Sequence, residues 1–337
     1  MPDKNHRYLL ARRPSGRVDA GTFELVTEEV PEIGEGEALV RTEWISVDPT
    51  NRGWLNDAPG YLPPVGIGEV VRAGGLGRVV ASNNPAYEEG KLVQGLIGWQ
   101  EWVVASEAAP LLPVTEVPGV ESTSAYLGVL GMTGLTAWVG TRQIGMPQEG
   151  ETVVVSAAAG AVGSVAGQLA KADGARVVGI AGGPEKCSLL VDRLGFDSAV
   201  DYKTSDWREQ LATATPDGID FDFENVGGDI MEAIFGRLNI RARVALCGLI
   251  SGYNDDDLPP GPRTFGNVLI KRATVQGFIV LDHFHQAGKA GAEIAGLMAA
   301  GRLEALETVV EGFEQLPDAI NMLFDGKNTG KLVVKIA

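Results

Sequence analysis

The stretch VVVSAAAGAVGSVAGQLAK, residues 153–171, joins an apolar run, a glycine-containing turn and a helix-like segment. Ala158, Gly160 and Gly163 have the spacing of the dinucleotide fingerprint G-x-G-x-x-G, with alanine in the first place. That chemistry needs small residues where backbone approaches a pyrophosphate, and a helix N-terminus whose N–H groups meet the phosphates. The spacing alone also fits a plain tight turn, but its setting between strand and helix favours a dinucleotide site.

The second predicted strand of this region decides which dinucleotide is expected. An NAD site needs a carboxylate about 20 residues after the glycines, to bind the ribose hydroxyl. This chain has VVGIAGGPEK there, and the small residue Gly182 lies near the strand end. Lys186 can supply a positive charge, and Tyr202 and Lys203 follow the next strand. The pattern predicts NADP(H), because the acid is missing; Lys186 by itself would be better explained as a solvated lysine at a helix start.

The elements that must position these residues change in character along the chain. Up to about residue 120, short apolar segments at 37–48, 77–82 and 98–105 alternate with Gly, Pro and Asn, as strands do. From residue 122 onward, strands and helices alternate, which predicts a doubly wound parallel sheet. The tail adds a strand, a helix and a last strand that could pair with the N-terminal β region.

The alternating elements are predicted at the following positions. Strands are expected at 152–156, 176–181, 199–203, 218–228 (ending in a turn), 242–250 and 274–280. Helices are expected at 122–145, 163–171, 184–194, 229–238 and 292–303.

Composition limits the function classes. The chain has 337 residues, enough for two domains, and is 45% hydrophobic and 21% charged, as soluble globular proteins are. A net charge of −16 disfavours nucleic acid as a partner. No run of about 20 apolar residues predicts a membrane span, and no signal segment opens the chain. With only Cys187 and Cys247, no disulfide framework is expected, so we predict a cytoplasmic protein.

A longer set of motifs resembles one family. The motifs are SAAAGAVGSVAGQLAK, AGGPEKC, DYKT, FENVGG, CGLISGYN, LPPGP, GFIV and GKNTGKLVVKI, with ISVDP, GEVVRAGGLGRVVAS and MTGLTAW in the first half. They resemble the zinc-independent medium-chain dehydrogenases/reductases of the leukotriene B4 dehydrogenase and prostaglandin reductase group, which includes alkenal double-bond reductases and curcumin reductase-like enzymes.

The resemblance implies an α/β fold in which a Rossmann doubly wound parallel sheet is inserted in a GroES-like β-rich catalytic domain. The GroES-like domain would comprise residues 1–121 plus 306–337, and the Rossmann NADP-binding domain residues 122–305. The resemblance also implies NADPH-dependent reduction of the C=C bond of α,β-unsaturated carbonyl compounds, usually by a homodimer.

The resemblance further implies which residues bind the nucleotide. They are Thr133, Ala158, Gly160, Ala161, Val162, Gly163, Gly182, Lys186, Tyr202, Asn225, Cys247, Gly248, Tyr253, Phe278, Ile279, Val280 and Asn328. Of these, Lys186 and Tyr202 would hold the 2′-phosphate end, and Thr133 would lie near the nicotinamide. Cys247 is equally explained as a small buried strand residue, and Asn225 as a turn residue.

No metal is expected. The histidines are His6, His283 and His285, and the N-terminal half has no Gly-His-Glu stretch. The HFH segment at 283–285 is best interpreted as a polar loop, since no third ligand is near. Without ligands for a Lewis acid, alcohol oxidation is poorly supported, and hydride addition to the β-carbon of an enone suits the site better.

Tyr253 is the candidate catalytic residue. It follows a predicted sheet strand, at the edge where open α/β sheets bind ligands. Its hydroxyl would stabilise the negative charge that appears on the carbonyl oxygen, while a hydroxyl or water protonates the α-carbon. The alternative is a loop tyrosine that packs its ring.

The segment 47–52 departs from the family. It has VDPTNR where many relatives have VDPYMR, so that Thr50 and Asn51 replace an aromatic residue and a methionine. Thr50, Arg52 and Tyr61 are candidate substrate contacts, and Tyr61 is a candidate replacement for the lost aromatic. The leading hypothesis is thus an NADPH-dependent 2-alkenal or enone reductase. An NADPH quinone reductase and a non-catalytic NADPH-binding protein are the alternatives.

Overall fold

The computed structural model describes residues 4–255 and 260–337. The first three residues and residues 256–259, which include Leu258 and Pro259 of the LPPGP motif, lie outside the described residues. Across the described ranges, no helix has the length and apolar character needed to cross a membrane.

Strands and α-helices are numbered in chain order. The strands are β1 (Asn5–Leu10), β2 (Phe23–Glu28), β3 (Ala38–Val47), β4 (Gly75–Ser82), β5 (Leu92–Gly95), β6 (Trp102–Ala105), β7 (Leu112–Pro113), β8 (Thr152–Val155), β9 (Arg176–Ala181), β10 (Ser198–Asp201), β11 (Ile219–Glu224), β12 (Leu238–Leu246), β13 (Thr274–Gly277), β14 (Glu307–Glu311) and β15 (Lys331–Lys335). The helices are α1 (Pro49–Trp54), α2 (Met132–Val139), α3 (Ala161–Ala172), α4 (Pro184–Ser188), α5 (Trp207–Ala214), α6 (Gly228–Phe235), α7 (Gly266–Lys271), α8 (Ala287–Ala299) and α9 (Leu316–Phe324).

The described residues divide into two compact units. The first contains the residues up to Leu127 together with Thr308–Asn328 and Leu332–Ala337. The second contains Gly128–Glu307 and Thr329–Lys331.

The first unit is built on a sheet of order β14-β15-β3-β4-β5-β7, with β6 also paired to β3 and a separate β1–β2 hairpin. The tail strand β15 runs antiparallel to β3, with Leu332 opposite Val47 and Lys335 opposite Trp44. Alternate residues of a strand lie on the same face of the sheet. Ile45 and Val47 of β3 therefore share one face, and they are buried in a core that α9 also lines. The tail is therefore part of the β-rich unit.

The second unit contains a six-stranded sheet of order β10-β9-β8-β11-β12-β13, and each pair of neighbouring strands in it is parallel. Counted from β8, this is the strand order 3-2-1-4-5-6 of dinucleotide-binding folds. The central strand β8 is buried along its length, as strands covered by helices on both faces are. The predicted α/β fold class is confirmed.

Several predicted elements differ from the structure: the helix expected at 184–194 is α-helical only to Ser188, the strand expected at 242–250 is observed four residues earlier as β12, the helix expected at 292–303 is α8, and two further differences are larger. The helix expected at 122–145 is divided into a 3-10 turn at Thr123–Tyr126, then α2, then a π-helical segment at Gly140–Gly145. The break occurs because the carbonyl of Gly128 accepts the amides of Gly131 and Gly134, which turns the chain before α2. The strand expected at 274–280 ends at Gly277, and the HFH segment lies in a 3-10 helix, Val280–Gln286, rather than in a loop.

Candidate active site

The glycine turn connects β8 to α3 at the carboxyl edge of the parallel sheet. Ala157 has the left-handed φ of 47°, and its carbonyl accepts the amide of Gly160 at 2.9 Å. No side chain caps the N-terminus of α3, so the first N–H groups of this 12-residue helix point toward the turn without an intrahelical acceptor. This arrangement fits an anion such as a pyrophosphate.

The fingerprint residues have two different tasks. Ala158 is fully buried, and its amide donates to the carbonyl of Ile180 at 3.0 Å. A Cβ on Gly163 would lie 2.5 Å from the Ala157 carbonyl oxygen, so this glycine permits close helix–strand packing. Gly160, Ala161 and Val162 are half-buried and form the part of the turn that a ligand can approach.

The end of β9 brings together the residues predicted to select the nucleotide. A Cβ on Gly182 would lie 2.9 Å from Lys203 Cε and from ring atoms of Tyr202, so glycine lets both side chains close over this strand end. Lys203 follows Tyr202 in the sequence, and in the structure its charge also acts on Lys186.

Two positive charges therefore approach each other at this edge. Burial and the charge of Lys203 lower the pKa of Lys186. The Oδ1 atom of Asp201 accepts the amides of Gly183 at 2.8 Å and Lys203 at 3.0 Å. A phosphate dianion between the lysines would relieve their repulsion, so the cluster fits the ribose 2′-phosphate of a dinucleotide.

Asn225 follows β11 at the same edge. Its amide donates to Ser156 Oγ at 2.7 Å, and its side-chain Nδ2 donates to the Ser156 carbonyl at 2.8 Å. The side chain thus fixes the turn that it belongs to, as a turn residue does. The same bonds hold Asn225 beside the start of the glycine turn.

Cys247 and Gly248 follow β12. The Cys247 amide donates to the carbonyl of Glu224 at 2.9 Å, and burial raises the pKa of the Cys247 thiol to about 12, with Glu224 adding to the effect. A raised pKa keeps the thiol in its neutral form near pH 7, which disfavours reaction as a thiolate. Its neighbour Gly248 is glycine for space, because a Cβ would lie 3.2 Å from the Tyr253 hydroxyl.

Tyr253 is half-buried in the loop after β12. Its hydroxyl oxygen accepts the amide of Leu249 at 3.2 Å. A phenol hydroxyl can accept one hydrogen bond and donate its own hydrogen, so this side chain has the chemistry of a donor to a carbonyl oxygen. The bond holds the hydroxyl near the β12 end, beside Gly248.

The remaining predicted cofactor residues of this unit are Thr133, Phe278, Ile279 and Val280. Thr133, on α2, is buried, and its Oγ1 has no hydrogen-bond partner among the described residues. A buried hydroxyl of this kind fits a site that a ligand completes. Phe278 packs edge-on against Phe223 with ring centroids 6.5 Å apart, and the half-buried Ile279 and Val280 follow it.

Asn328, the predicted tail residue, is buried in the first unit. Two residues later, the amide of Gly330 donates to the Ala159 carbonyl at 2.7 Å within the second unit. Gly330 has a φ of 66°, and a Cβ there would overlap the carbonyl of Leu306. This contact with the glycine turn was not predicted from the sequence. Gly330, which follows Asn328 and Thr329, is the residue that could have indicated a close backbone approach.

The candidate substrate residues lie in the first unit. Thr50 and Tyr61 share a hydrogen bond between their hydroxyl groups, and the ring of Tyr61 packs edge-on against Trp54 at 6.3 Å. Tyr61 is 48% exposed. The structure thus places Tyr61 beside Thr50, and its role as a replacement aromatic stays a prediction.

Arg52 and Asn51 are accounted for within the first unit itself. Arg52 is 1% exposed, and its guanidinium donates to the carbonyl of Gly16 and to Asn56 Oδ1. Asn51 is also buried, accepting the amide of Asp48 and donating to the Arg72 carbonyl. These bonds give both side chains a structural task, and no substrate is needed to explain their burial.

The histidines have separate surroundings. His283 and His285 stack with ring centroids 6.4 Å apart, and His6 Nδ1 lies 2.6 Å from Glu101 Oε2 in the first unit. In the part of the chain that the structure describes, no group of three or more His, Cys, Asp or Glu side chains is placed to hold a metal ion.

Two family models match the chain. Residues 6–114 match the N-terminal domain of oxidoreductase, and residues 161–295 match the zinc-binding dehydrogenase family.

Individual proteins extend these matches over nearly the whole chain. The NADPH-dependent curcumin reductase of Escherichia coli (strain K12) is 43% identical, over 99% of this chain and 97% of that protein. The 2-alkenal reductase (NADP(+)-dependent) of Nicotiana tabacum is 37% identical, over 92% of this chain and 90% of that protein. The crystal structure of CurA from Vibrio vulnificus in complex with NADPH has a TM-score of 0.93 at 43% identity, with 98% and 99% of the two chains covered.

Proposed function

The chain belongs to the medium-chain dehydrogenases/reductases, in the prostaglandin reductase and alkenal reductase group, and from that premise we propose that this NADP-dependent oxidoreductase reduces the C=C bond of α,β-unsaturated aldehydes and ketones. The observation that carries the proposal is the Tyr253 hydroxyl, which a backbone amide holds at the carboxyl edge of the sheet. Related proteins named for curcumin and 2-alkenals support the substrate class.

The cofactor is NADP(H), which supplies a hydride when bound. In the proposed site, the N–H groups at the start of α3 bind the pyrophosphate. Lys186, Tyr202 and Lys203 bind the 2′-phosphate, and Thr133 Oγ1 faces the nicotinamide end. The neutral thiol of Cys247 lines this path without reacting.

Tyr253 stabilises the reaction in this proposal. When a hydride adds to the β-carbon, negative charge moves to the substrate's carbonyl oxygen. The Tyr253 hydroxyl donates a hydrogen bond to that oxygen and lowers the barrier, since donors aimed at developing charge favour the transition state. The α-carbon then receives a proton from a hydroxyl or water.

The first unit would contribute to substrate choice and not to hydride transfer. We propose that Thr50 and Tyr61 form one substrate-facing pair, supported by their mutual hydrogen bond and by the exposure of the Tyr61 ring. The proposed GroES-like domain is residues 1–121 with 306–337, and the proposed cofactor domain is residues 122–305. The proposed reaction uses no metal, since the ordered motifs contain no thiolate, imidazole and carboxylate set.

The proposal is tested by following NADPH oxidation with a panel of enals, enones and quinones. We expect turnover with enals and enones, and mass spectrometry of the product should find the C=C bond reduced and the carbonyl retained. Faster turnover of quinones would favour a quinone reductase. Tight NADPH binding with no turnover across the panel would leave a binding protein and refute the reductase.

We also propose a homodimer, on the strength of an unpaired sheet edge. Strand β13 has a sheet partner on one side only among the described residues, and the adjacent α7 exposes Leu269 (81%) and Ile270 (65%). Exposed strand edges and large apolar side chains in one place mark association surfaces.

The dimer predicts a clear effect of charge at this surface. Leu269→Lys with Ile270→Lys should shift the mass measured by light scattering from that of two chains to that of one. Leu112→Lys is the matched control, because Leu112 is 65% exposed in the first unit. A parent protein with the mass of one chain, or an unchanged mass in the double variant, would contradict this surface.

A further inference from the structure

The carboxyl group of Glu224 lies fully buried where β11 ends. Its Oε1 atom accepts three hydrogen bonds, from Ser156 Oγ at 2.6 Å, the Val226 amide at 2.6 Å and the Gly227 amide at 3.0 Å. One oxygen atom therefore joins the end of β8 to the turn after β11.

The bond to Ser156 acts on the glycine turn. Ser156 directly precedes Ala157, whose φ of 47° is unfavourable for a residue with a side chain. The Ala157 carbonyl is the atom that limits the space at Gly160 and Gly163, where a Cβ would approach it to 3.1 Å and 2.5 Å. Fixing Ser156 therefore fixes the backbone on which the pyrophosphate turn is built.

The bonds to Val226 and Gly227 act on the second turn. Gly227 and Gly228 have φ values of 77° and 54°. Glycine adopts this conformation readily but is not confined to it, so other contacts must hold the turn in place. Glu224 Oε1 holds this turn against the end of β11. The turn then keeps Asn225 in place to donate to the Ser156 carbonyl.

The main chain of Glu224 reaches a third element. Its carbonyl accepts the amides of Cys247 at 2.9 Å and Gly248 at 3.2 Å, where β12 ends. The loop that follows carries Tyr253. Glu224 therefore contacts three strand ends, those of β8, β11 and β12, which are followed by the glycine turn, the Asn225 turn and the Tyr253 loop.

Stability alone does not explain a carboxyl group at this position. Burial raises the pKa of Glu224, opposed by its hydrogen bonds, so the fold bears a cost that an apolar residue would avoid. Asp222 is also fully buried on β11, yet neither of its oxygens has a hydrogen-bond partner among the described residues. A comparison of Asp222 with Glu224 therefore distinguishes the effect of burying a carboxyl group from the effect of fixing the turns.

We propose that Glu224 is a positioning residue for NADPH, which sets the glycine turn and the Asn225 turn relative to each other through one carboxyl oxygen, while its main-chain carbonyl joins the start of the Tyr253 loop to them. Its effect on the Tyr253 loop rests on the function proposed above. Its effect on NADPH affinity does not, because that requires only the cofactor.

The test compares two replacements of nearly equal size. Glu224→Gln keeps an acceptor oxygen at the Oε1 position, whereas Glu224→Met removes it. We expect the NADPH dissociation constant, measured by fluorescence without substrate, to stay within about 3-fold for Gln and to rise about 10- to 100-fold for Met. Amide hydrogen exchange at Val226 and Gly227 in the cofactor-free protein should be accelerated only in the Met variant.

Asp222→Met is the matched control for removing a buried carboxyl group from the same strand. It should leave the NADPH dissociation constant within about 2-fold, whatever it does to the thermal midpoint. Equal weakening by the two Met variants, or parental affinity with unchanged exchange in Glu224→Met, would overturn the proposal.

A milder variant keeps the proposal open to refutation if Glu224→Met does not fold. Ser156→Ala removes one of the three bonds to Glu224 Oε1, together with the Oγ atom that accepts the Asn225 amide, and should weaken NADPH binding by about 3- to 10-fold. Parental affinity in that variant would refute the link to the glycine turn. Failure of the enone assay with the affinity pattern intact would remove the proposed reaction and leave Glu224 as a cofactor-positioning residue.

Discussion

Replacing Lys186 and Lys203 together by alanine is expected to weaken NADPH binding by about 10²- to 10³-fold and to leave NADH binding nearly unchanged. Lys203 lies beside Gly182 at the end of β9, and burial together with the charge of Lys203 lowers the pKa of Lys186. A 2′-phosphate dianion would remove that repulsion and accept charge-assisted hydrogen bonds from both. NADH has no such phosphate, so it gains nothing from the lysines.

The same cluster predicts the pH dependence of affinity. Because the pKa of Lys186 is lowered in the cofactor-free protein, its charge is lost earlier on raising the pH than that of an ordinary lysine. Phosphate binding favours the charged form, so NADPH affinity should fall as the pH rises through that lowered pKa. The slope should disappear in Lys186→Ala.

The control for net charge is Lys91→Ala, which removes an exposed lysine of the first unit that pairs with Glu88. Dissociation constants for NADPH and NADH should be measured by titration for the parent, both single variants, the double variant and this control. Equal losses of NADPH and NADH affinity in the double variant would show general damage to the site. A Lys91→Ala effect as large as that of Lys186→Ala would mean that overall charge is responsible.

The Tyr253→Phe variant is expected to lower kcat for enone reduction by about 10²- to 10³-fold while the NADPH dissociation constant changes less than about 3-fold. Phenylalanine keeps the ring but removes the only group of this side chain that can donate a hydrogen bond to the carbonyl oxygen. The bond is strongest when that oxygen carries negative charge, so its loss acts on the transition state more than on binding. Single-turnover measurements with saturating NADPH isolate this step.

Tyr87→Phe is the matched control, because the Tyr87 hydroxyl also accepts a backbone amide, that of Leu111 at 3.1 Å. Any cost of losing such an amide bond should appear in both variants, whereas the loss of kcat should appear only at Tyr253. Parental kcat in Tyr253→Phe would remove the tyrosine from the proposed mechanism.

The fold class could be predicted from the sequence because the patterns that indicate it are local. Strands such as β8 and β9 are short apolar runs, and each is followed by a segment with helical character, a pattern that identifies a parallel sheet. The break of the 122–145 helix was not predictable, because it depends on amides that converge on the Gly128 carbonyl. The domain boundaries, the site residues as a set, the homodimer and the cytoplasmic location stay predictions.

The candidate site was predicted unevenly for the same reason. Arg52 was a candidate for substrate contact by its neighbours in the chain, but its burial against the carbonyl of Gly16 depends on a loop 36 positions away. Glu224 passed unnoticed, since a glutamate at the end of an apolar strand does not reveal which amides it will meet.

The sequence by itself determined the class of cofactor. The glycine spacing and the missing acid are facts about side-chain size and charge within short segments, and backbone geometry allows few other uses for them. Only the tertiary structure decided which side chains meet. Ser156 and Glu224 are 68 positions apart, and their bond depends on the register by which β8 and β11 pair. Register is set by the burial of a whole sheet and not by either residue, so contacts of this kind appear only when the chain is folded.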